Sequence, residues 1–420
     1  MKNIRDGYKM TELGEIPDEW KVEKLKDVAK VIDSLHETPI YSEDGFPMIR
    51  VVDVNGKAIN VSNANKVSEE VYNKFTRKYK PKLGDIIMSR VGSYGLVSYL
   101  KTNDKICLGQ NIVIITTDYC KKYLFYALNS NYIKSNIDRV TVGSSQKTLS
   151  LANINEFKLM LPTIKEQEKI ASILSTVDEQ IDNVDALIEK NKELKKGLMQ
   201  TLLTKGIGHT KFKTTEIGEI PEEWEVVKFK EITDILRCGV ASTPTYVENG
   251  IPFLSAQNVN NEKLSLHKYN FISEDYHKQL TKNDKPQKGD ILYSRVGANY
   301  GIAAVVDIDF EFSVYVSLTL IRMKNEYDSK FYKYLLNSTV IRKQADIGVF
   351  QGGGVPNLNV KVVEKFNVVV PPKYEQIKIA SILSEVDRKI DEYENKKQKL
   401  EELKKGLMQQ LLTGMIRVTV

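Results

Sequence analysis

The sequence predicts an α+β fold built twice: two globular segments separated by two long helices that pack as an antiparallel coiled coil, forming an internal repeat with pseudo-twofold character. Three observations predict it. Distinctive segments recur at offsets of 204 to 209 positions. Each copy begins with short β-branched runs interspersed with helical stretches. Each copy ends in a long segment whose apolar residues follow a coiled-coil spacing.

The repeat comes first, because missing one misassigns the whole fold. Thr11–Val28 (TELGEIPDEWKVEKLKDV) returns as Thr215–Ile232 (TEIGEIPEEWEVVKFKEI), identical at 11 of 18 positions. Gly84–Gly92 (GDIIMSRVG) returns as Gly289–Gly297 (GDILYSRVG). Glu166–Asp182 matches Glu375–Asp391 at 13 of 17 positions, and Glu193–Thr204 (ELKKGLMQTLLT) matches Glu402–Thr413 at 11 of 12. A period near 200 residues is far beyond the ~20–50 of a solenoid repeat, so whole domains are duplicated. The drift in offset places insertions in surface loops.

In the globular parts, Ile49–Val54, Asp85–Ser89 and Asn111–Thr116 read as strands, as do Phe253–Ala256, Asp290–Ser294 and Val316–Met323. They are short, β-branched and bounded by Gly, Pro or Asn. Helices are expected over Glu69–Tyr79 and Tyr119–Arg139, the latter mirrored by Asp328–Ala345. Without strict βαβ alternation the class is α+β.

The long helices follow. Ile170, Leu174, Val177, Ile181, Val184, Ile188, Asn191, Lys195, Leu198 and Leu202 keep 4-3 spacing, and so does the series from Ile379 to Leu411. Two matched seams offer each helix an apolar partner. Asn191, Lys195, Lys397 and Lys404 either set register or mark a drift of the stripe, with Leu194 and Leu403 placed to take over. The division is then residues 1–160, first globular domain; 161–207, first helix; 208–370, second globular domain; 371–420, second helix.

At 420 residues, with 41% hydrophobic and 28% charged residues, the chain can fill more than one core. It lacks the ~18–20-residue apolar run of a membrane span and the apolar stretch of a signal peptide, so a cytoplasmic location is expected. Its three cysteines and four histidines are scattered, which argues against a disulfide framework or a metal site. A net charge of +6 leans weakly toward an acidic partner. Nucleotide-binding, GxSxG, HExxH and Asn-Pro-Pro-aromatic signatures are all missing, so the chain reads as non-catalytic.

Together these motifs resemble the specificity (S) subunits of type I restriction-modification enzymes, over about residues 8–416. The signals are the GEIPxxW opening, GDI[IL]xSRVG, Pro…EQxxIAxxL and GLMQxLLT, each present twice and in order. The resemblance implies two target-recognition domains, each reading one part of a bipartite site in double-stranded DNA. It implies that the helices are spacers docking modification (M) subunits, two of them. S-adenosylmethionine, ATP and Mg are then expected on the M and restriction (R) subunits, with no cofactor on this chain. A helix of 42 residues spans roughly 60 Å at ~1.5 Å per residue, which caps the half-site separation near ~18 base pairs. A scaffold that assembles partners through its helices without touching DNA is the alternative.

The duplication sorts candidates. Both halves dock alike but should read different bases, so differing loop residues are the readers and shared ones are structural, docking or phosphate-contacting. The DNA-binding candidates in the first half are Arg50, Arg90, Ser93, Tyr94, Gln146 and Lys147. In the second half they are Gln257, Arg295, Asn299, Tyr300 and Gln351. Arg90 and Arg295 suit either an ion pair or phosphate and base contact, and Gln can bond adenine bidentately. For partner docking the candidates are Lys195, Lys196, Gly197, Leu198, Met199 and Gln200, with their copies Lys404, Lys405, Gly406, Leu407, Met408 and Gln409. A glycine inside a helix costs ~1 kcal/mol relative to alanine, so Gly197 and Gly406 mark either close approach of another chain or a kink.

Overall fold

The computed structural model of the chain describes residues 4–141, 148–350 and 354–419. It resolves into two compact units: Met1–Asp185 with Asn395–Val420, and Ala186–Glu394. The units cut across the linear blocks read from the sequence, because each long helix contributes to both. The first helix runs unbroken from Ile164 to Lys205 and the second from Lys373 to Leu411.

In the first unit, an antiparallel sheet orders its strands Lys30–Asp33, Ile112–Thr116, Ile86–Ser89, Val97–Tyr99. Strand alternation sends Ile86 and Met88 into one core with Tyr123 and Phe125, while Ile87 enters another with Ile49 and Leu100. Both faces of the sheet are covered, so its central strands read as continuous apolar runs rather than alternating ones. The second unit repeats this with Thr233–Cys238, Leu318–Met323, Ile291–Ser294 and Ala303–Val305.

Several predicted elements are shorter than the sequence suggested. The expected strand Ile49–Val54 ends at Ile49 and gives way to a 3₁₀ turn, Val51–Asp53, because the Asp53 carboxylate accepts the Arg50 N–H at 2.8 Å. The helix expected over Tyr119–Arg139 is two helices, Lys121–Leu128 and Asn131–Thr141. Its mirror is likewise Ser329–Leu336 and Thr339–Gly348, where Ser338 Oγ accepts the Ile341 N–H and starts a new helix.

In the first unit the two long helices run antiparallel, since Lys404 meets Asp178 at 2.6 Å and Lys397, seven residues earlier, meets Asp185, seven residues later, also at 2.6 Å. Lys195 pairs with Asp387 at 2.7 Å in the second unit. Three of the four polar seam positions, Lys195, Lys397 and Lys404, therefore tie one helix to the other, whereas Asn191 donates to the Leu187 carbonyl of its own helix at 2.8 Å. Ile170, Leu174, Val177, Ile181 and Val184 are buried, as are Ile379, Leu383, Val386 and Ile390. Toward the C-terminus of the first helix the stripe drifts by one position, with Leu203 buried and Leu202 half-buried; at the end of the second, Leu411 and Leu412 are both buried, and Leu194 and Leu403 lie exposed instead of taking over.

The repeated sequence motifs have local causes. The Glu-Gln pair that opens each long helix is buried; Gln167 and Gln376 cap the carbonyls of Pro162 and Pro371 at 3.0 and 2.8 Å. Glu375 accepts the indole N–H of Trp224 at 3.0 Å, the Ile207 N–H at 2.8 Å and His209 Nε2 at 3.0 Å. The GEIPxxW and EQ motifs thus meet in one buried cluster. In the first unit, Arg417 takes Glu166 instead, at 2.8 Å. The GD aspartates are buried ionic staples, Asp85 to Lys121 and Asp290 to Arg322, each at 2.7 Å.

Candidate nucleic-acid interface

The chain reverses at one end of the central sheet in each unit, and the loops there converge. In the first unit these are the turn after Asp33, the 3₁₀ turn at Val51–Asp53, the SRVG turn, the Gln110–Asn111 corner and the segment reaching Leu149. The Asn111 N–H-bearing corner adopts a left-handed backbone, φ 63°, and its carbonyl accepts the Arg90 N–H at 2.8 Å.

Arg90 organises this end. Its guanidinium NH1 lies 2.9 and 3.0 Å from the two Asp33 carboxylate oxygens, and Nε donates to the Leu149 carbonyl at 3.0 Å. Arg295 does the equivalent work differently. Its Nε donates to Leu358 O at 2.9 Å, NH1 to Val316 O at 3.0 Å and NH2 to Asn357 Oδ1 at 3.0 Å. The second unit has Cys238 where the strand register of the first has Asp33, so no carboxylate is offered and carbonyls substitute. Both arginines are largely buried, so of the two roles open in the sequence the structural one is what their positions display. They are clamps beneath the loops, each tied through Nε to a loop carbonyl.

The remaining candidates divide. Ser93 and Asn299 are exposed at the tips of the SRVG turns. Tyr94 is half-buried against the core. Tyr300 is buried: its hydroxyl donates to Asp346 at 2.6 Å, and the Arg342 guanidinium lies 4.2 Å from its ring centre. Arg50 is half-buried, with Nε 3.5 Å from Asp53. Gln257 is exposed on the matching 3₁₀ turn, Ala256–Asn258, which buried Asn258 pins to Ser265 and Lys268. Gln146, Lys147 and Gln351 lie outside the described residues.

The structure adds residues that the sequence did not single out. Gln110 Nε2 donates to Thr38 Oγ1 at 3.3 Å, and His36 Nε2 stands 2.9 Å from Asp33, both beside the Arg90 clamp. In the second unit Thr243 and Tyr315 share a 3.4 Å hydroxyl contact at the same end. These residues come from distant segments, and only strand pairing brings them to one edge. No group of three His, Cys, Asp or Glu among the described residues is arranged to hold a metal ion.

The helix candidates also divide. Lys195 and Lys404 are engaged within their own units, whereas Lys196, Gly197, Gln200, Lys405, Gly406 and Gln409 are exposed; Leu198, Met199, Leu407 and Met408 are half-buried. Asp387 gathers Lys195, Lys333 at 3.3 Å and the Tyr334 hydroxyl at 2.6 Å. Burial would raise this carboxyl, but Lys333 and Lys195 outweigh it and hold it below the usual aspartate range. Burial lowers Lys333. In the first unit Tyr126 reaches Asp178 at 2.7 Å in the same way, with buried Phe125 where the second unit has Lys333.

The profile of the type I restriction modification DNA specificity domain matches residues 17–194 and again 221–404. The chain belongs to this family. The type I restriction enzyme MjaVIII specificity subunit of Methanocaldococcus jannaschii is 34% identical over 70% of this chain and 70% of its own length. The MjaIX specificity subunit of the same organism is 25% identical over 98% of this chain and 96% of its own. In fold, the chain is similar to the type I restriction-modification S subunit of M. genitalium, with TM-score 0.59 and 18% identity over 95% of this chain and 97% of that one. Specificity subunits of type I systems recognise DNA target sequences, act with modification and restriction subunits, and are the non-catalytic component of the complex. Family membership sets aside the scaffold that never touches DNA. No helix among the described residues is long and apolar enough to cross a membrane.

Proposed function

We propose that each unit reads one part of a bipartite duplex DNA target through the loop cluster at the end of its central sheet. The observation that carries this is the clamped pair of clusters. Arg90 and Arg295 hold the same loops in the two units, while the exposed side chains on those loops differ, Ser93 in one and Asn299 in the other. A shared frame with different tips suits one docking geometry and two base readings, since hydroxyl and amide groups bond to base edges in the major groove. Gln146, Lys147, Gln257 and Gln351 belong to the same reading set on sequence grounds, with Gln110 added.

The exposed faces around Lys196–Gln200 and Lys405–Gln409 dock two modification subunits, one per copy of the motif. S-adenosylmethionine is held by those subunits, and ATP and Mg act elsewhere in the complex, in the cytoplasm. In footprinting, the chain with its modification subunit should protect an asymmetric two-part site. Protection of one contiguous palindrome would defeat the proposal.

A further inference from the structure

The loops that reach the two arginine clamps differ in length and in character. The offset between the copies is 205 at Gly143 and Gly348 but 209 at Leu149 and Leu358, so the second unit carries four extra residues there. It also turns apolar: Val349 and Phe350 stand where the first copy has Ser144 and Ser145. Ile347 is 88% exposed, Phe350 72% and Val355 50%. Single exposed apolar side chains are ordinary, but three within nine residues of one loop form a patch that water disfavours and that marks a contact site.

The patch has a rigid mount. Val349–Phe350 pairs antiparallel with Asn357–Leu358, and Phe350 lies opposite Asn357. Asn357 in turn bridges Val296 of the SRVG turn, and its Oδ1 accepts from Arg295 at 3.0 Å. The Gly297 N–H donates to the Pro356 carbonyl at 3.1 Å. Phe350 is thus one strand away from the clamp beneath Asn299. Gly348 sets the approach: a Cβ there would collide with Val362, so the bare backbone lets the helix Thr339–Gly348 close on that wall before it turns into the strand. Charge fits as well. Lys343 is exposed one turn before Ile347, on the same helix face, with no ionic partner among the described residues. The neighbouring Asp346 carboxylate is taken by Arg342 at 2.8 Å and by the Tyr300 hydroxyl at 2.6 Å.

We infer that Phe350 is a wedge that enters the base stack in the second unit's part of the target and kinks the duplex there, with Ile347 packing beside it. This rests on the reading role proposed above and adds to it a second way of choosing sequence. A parted base step offers an apolar slot bordered by phosphates, which matches an aromatic ring and an aliphatic side chain bordered by Lys343. Pyrimidine–purine steps part most easily, so the second unit selects such a step through its deformability and not through hydrogen bonds. The first copy has serines at these positions, which supply no ring. A face of a modification subunit fits less well, because the patch is built on the same turn that presents Asn299 to the bases.

The test uses the full chain with its modification subunit, on duplexes carrying the target defined by footprinting. Energy transfer between end labels reports bending, and 2-aminopurine placed at successive steps reports unstacking. The wild-type complex should bend the duplex by roughly 20–90°. It should also brighten 2-aminopurine at one step of the second unit's part that Phe350→Ser leaves dark. Phe350→Ser should reduce the bend and weaken binding about tenfold, the size of one lost stacking contact. Phe350→Leu should keep most of the bend, since leucine also serves as a wedge. Replacing the pyrimidine–purine step at that place with a purine–purine step should weaken the wild type and leave Phe350→Ser indifferent. The free variants should melt with the wild type, because the side chain is exposed. An unbent duplex, or a bend and affinity unchanged by Phe350→Ser, overturns the inference and leaves the reading role standing. Loss of modification-subunit uptake in Phe350→Ser, with the bend intact, makes the patch a protein contact and overturns it too. A complex that protects no two-part site overturns both.

Discussion

Arg90 and Leu149 bind each other twice: the arginine Nε donates to the leucine carbonyl at 3.0 Å, and the leucine N–H returns to the arginine carbonyl at 2.8 Å. Arg295 and Leu358 repeat the exchange at 2.9 and 2.8 Å. One side chain in each unit therefore ties the SRVG turn to the backbone at Leu149 or Leu358. In the first unit a buried ion pair with Asp33 is added. Arg90→Ala should cost about 3 kcal/mol by stranding that carboxylate. Arg295→Ala leaves only neutral acceptors and should cost about 1–3 kcal/mol. Urea unfolding of the two variants should preserve that order.

The exposed tips should separate the two readings. Asn299→Ala is expected to relax base preference in one part of the target by about 1–3 kcal/mol, and Ser93→Ala in the other part by less. Competition binding of the complex against single-base variants of the target measures this. Loss of discrimination across both parts from either change would contradict the division of labour between units.

Lys333 and Phe125 occupy equivalent positions, and their surroundings differ by one charge. The second unit supplies Asp387 and Glu262 for two lysines, with Lys333 3.6 Å from Glu262. The first supplies Asp178 for Lys404. Phe125→Lys should therefore cost about 3 kcal/mol, because the new buried cation has no unshared carboxylate. Lys333→Met combined with Glu262→Gln removes a compensated pair and should be nearly neutral. Both are read from denaturant midpoints.

Asp387 also sets a pH dependence. A carboxyl held below its unfolded value adds stability that is complete above about pH 3.9 and disappears as pH falls through the folded value. Asp387→Asn should therefore be less stable than wild type at pH 7 and converge with it as pH falls below the folded value. Stability curves that stay parallel across that range would refute the assignment.

Cys107 is fully buried, and burial pushes its thiol up to about 12. A thiol reagent at pH 8 should label half-buried Cys120 and Cys238 first and reach Cys107 only on unfolding. Mass-spectrometric mapping of labelled peptides gives the order.

Much of this architecture is legible in the string. The long helices announce themselves because one stripe of Ile, Leu and Val persists for several heptads. The strands at Ile86–Ser89 and Ile112–Thr116 stand out because both faces are covered and every position but the last is apolar. The breaks at Asn129–Ser130 and Asn337–Ser338 were readable too: Asn-Ser at the same place in both copies is a helix-capping signal that the apolar pattern on either side concealed. The site was harder to read. Nothing local tells that Arg90 points inward, since its partner Asp33 lies 57 residues away and becomes a neighbour only through strand pairing. Tyr300 is comparable, drawn down by Asp346 from a helix that begins 39 residues later.

The sharing of each helix between units has a consequence for synthesis. Residues 186–394 form one uninterrupted stretch, so the second unit has all its parts once that stretch has left the ribosome. The first unit lacks Leu411, Leu412, Lys397 and Lys404 until the final turns of the last helix emerge. The part of the molecule made first is completed last, and for most of translation its core waits open on one side.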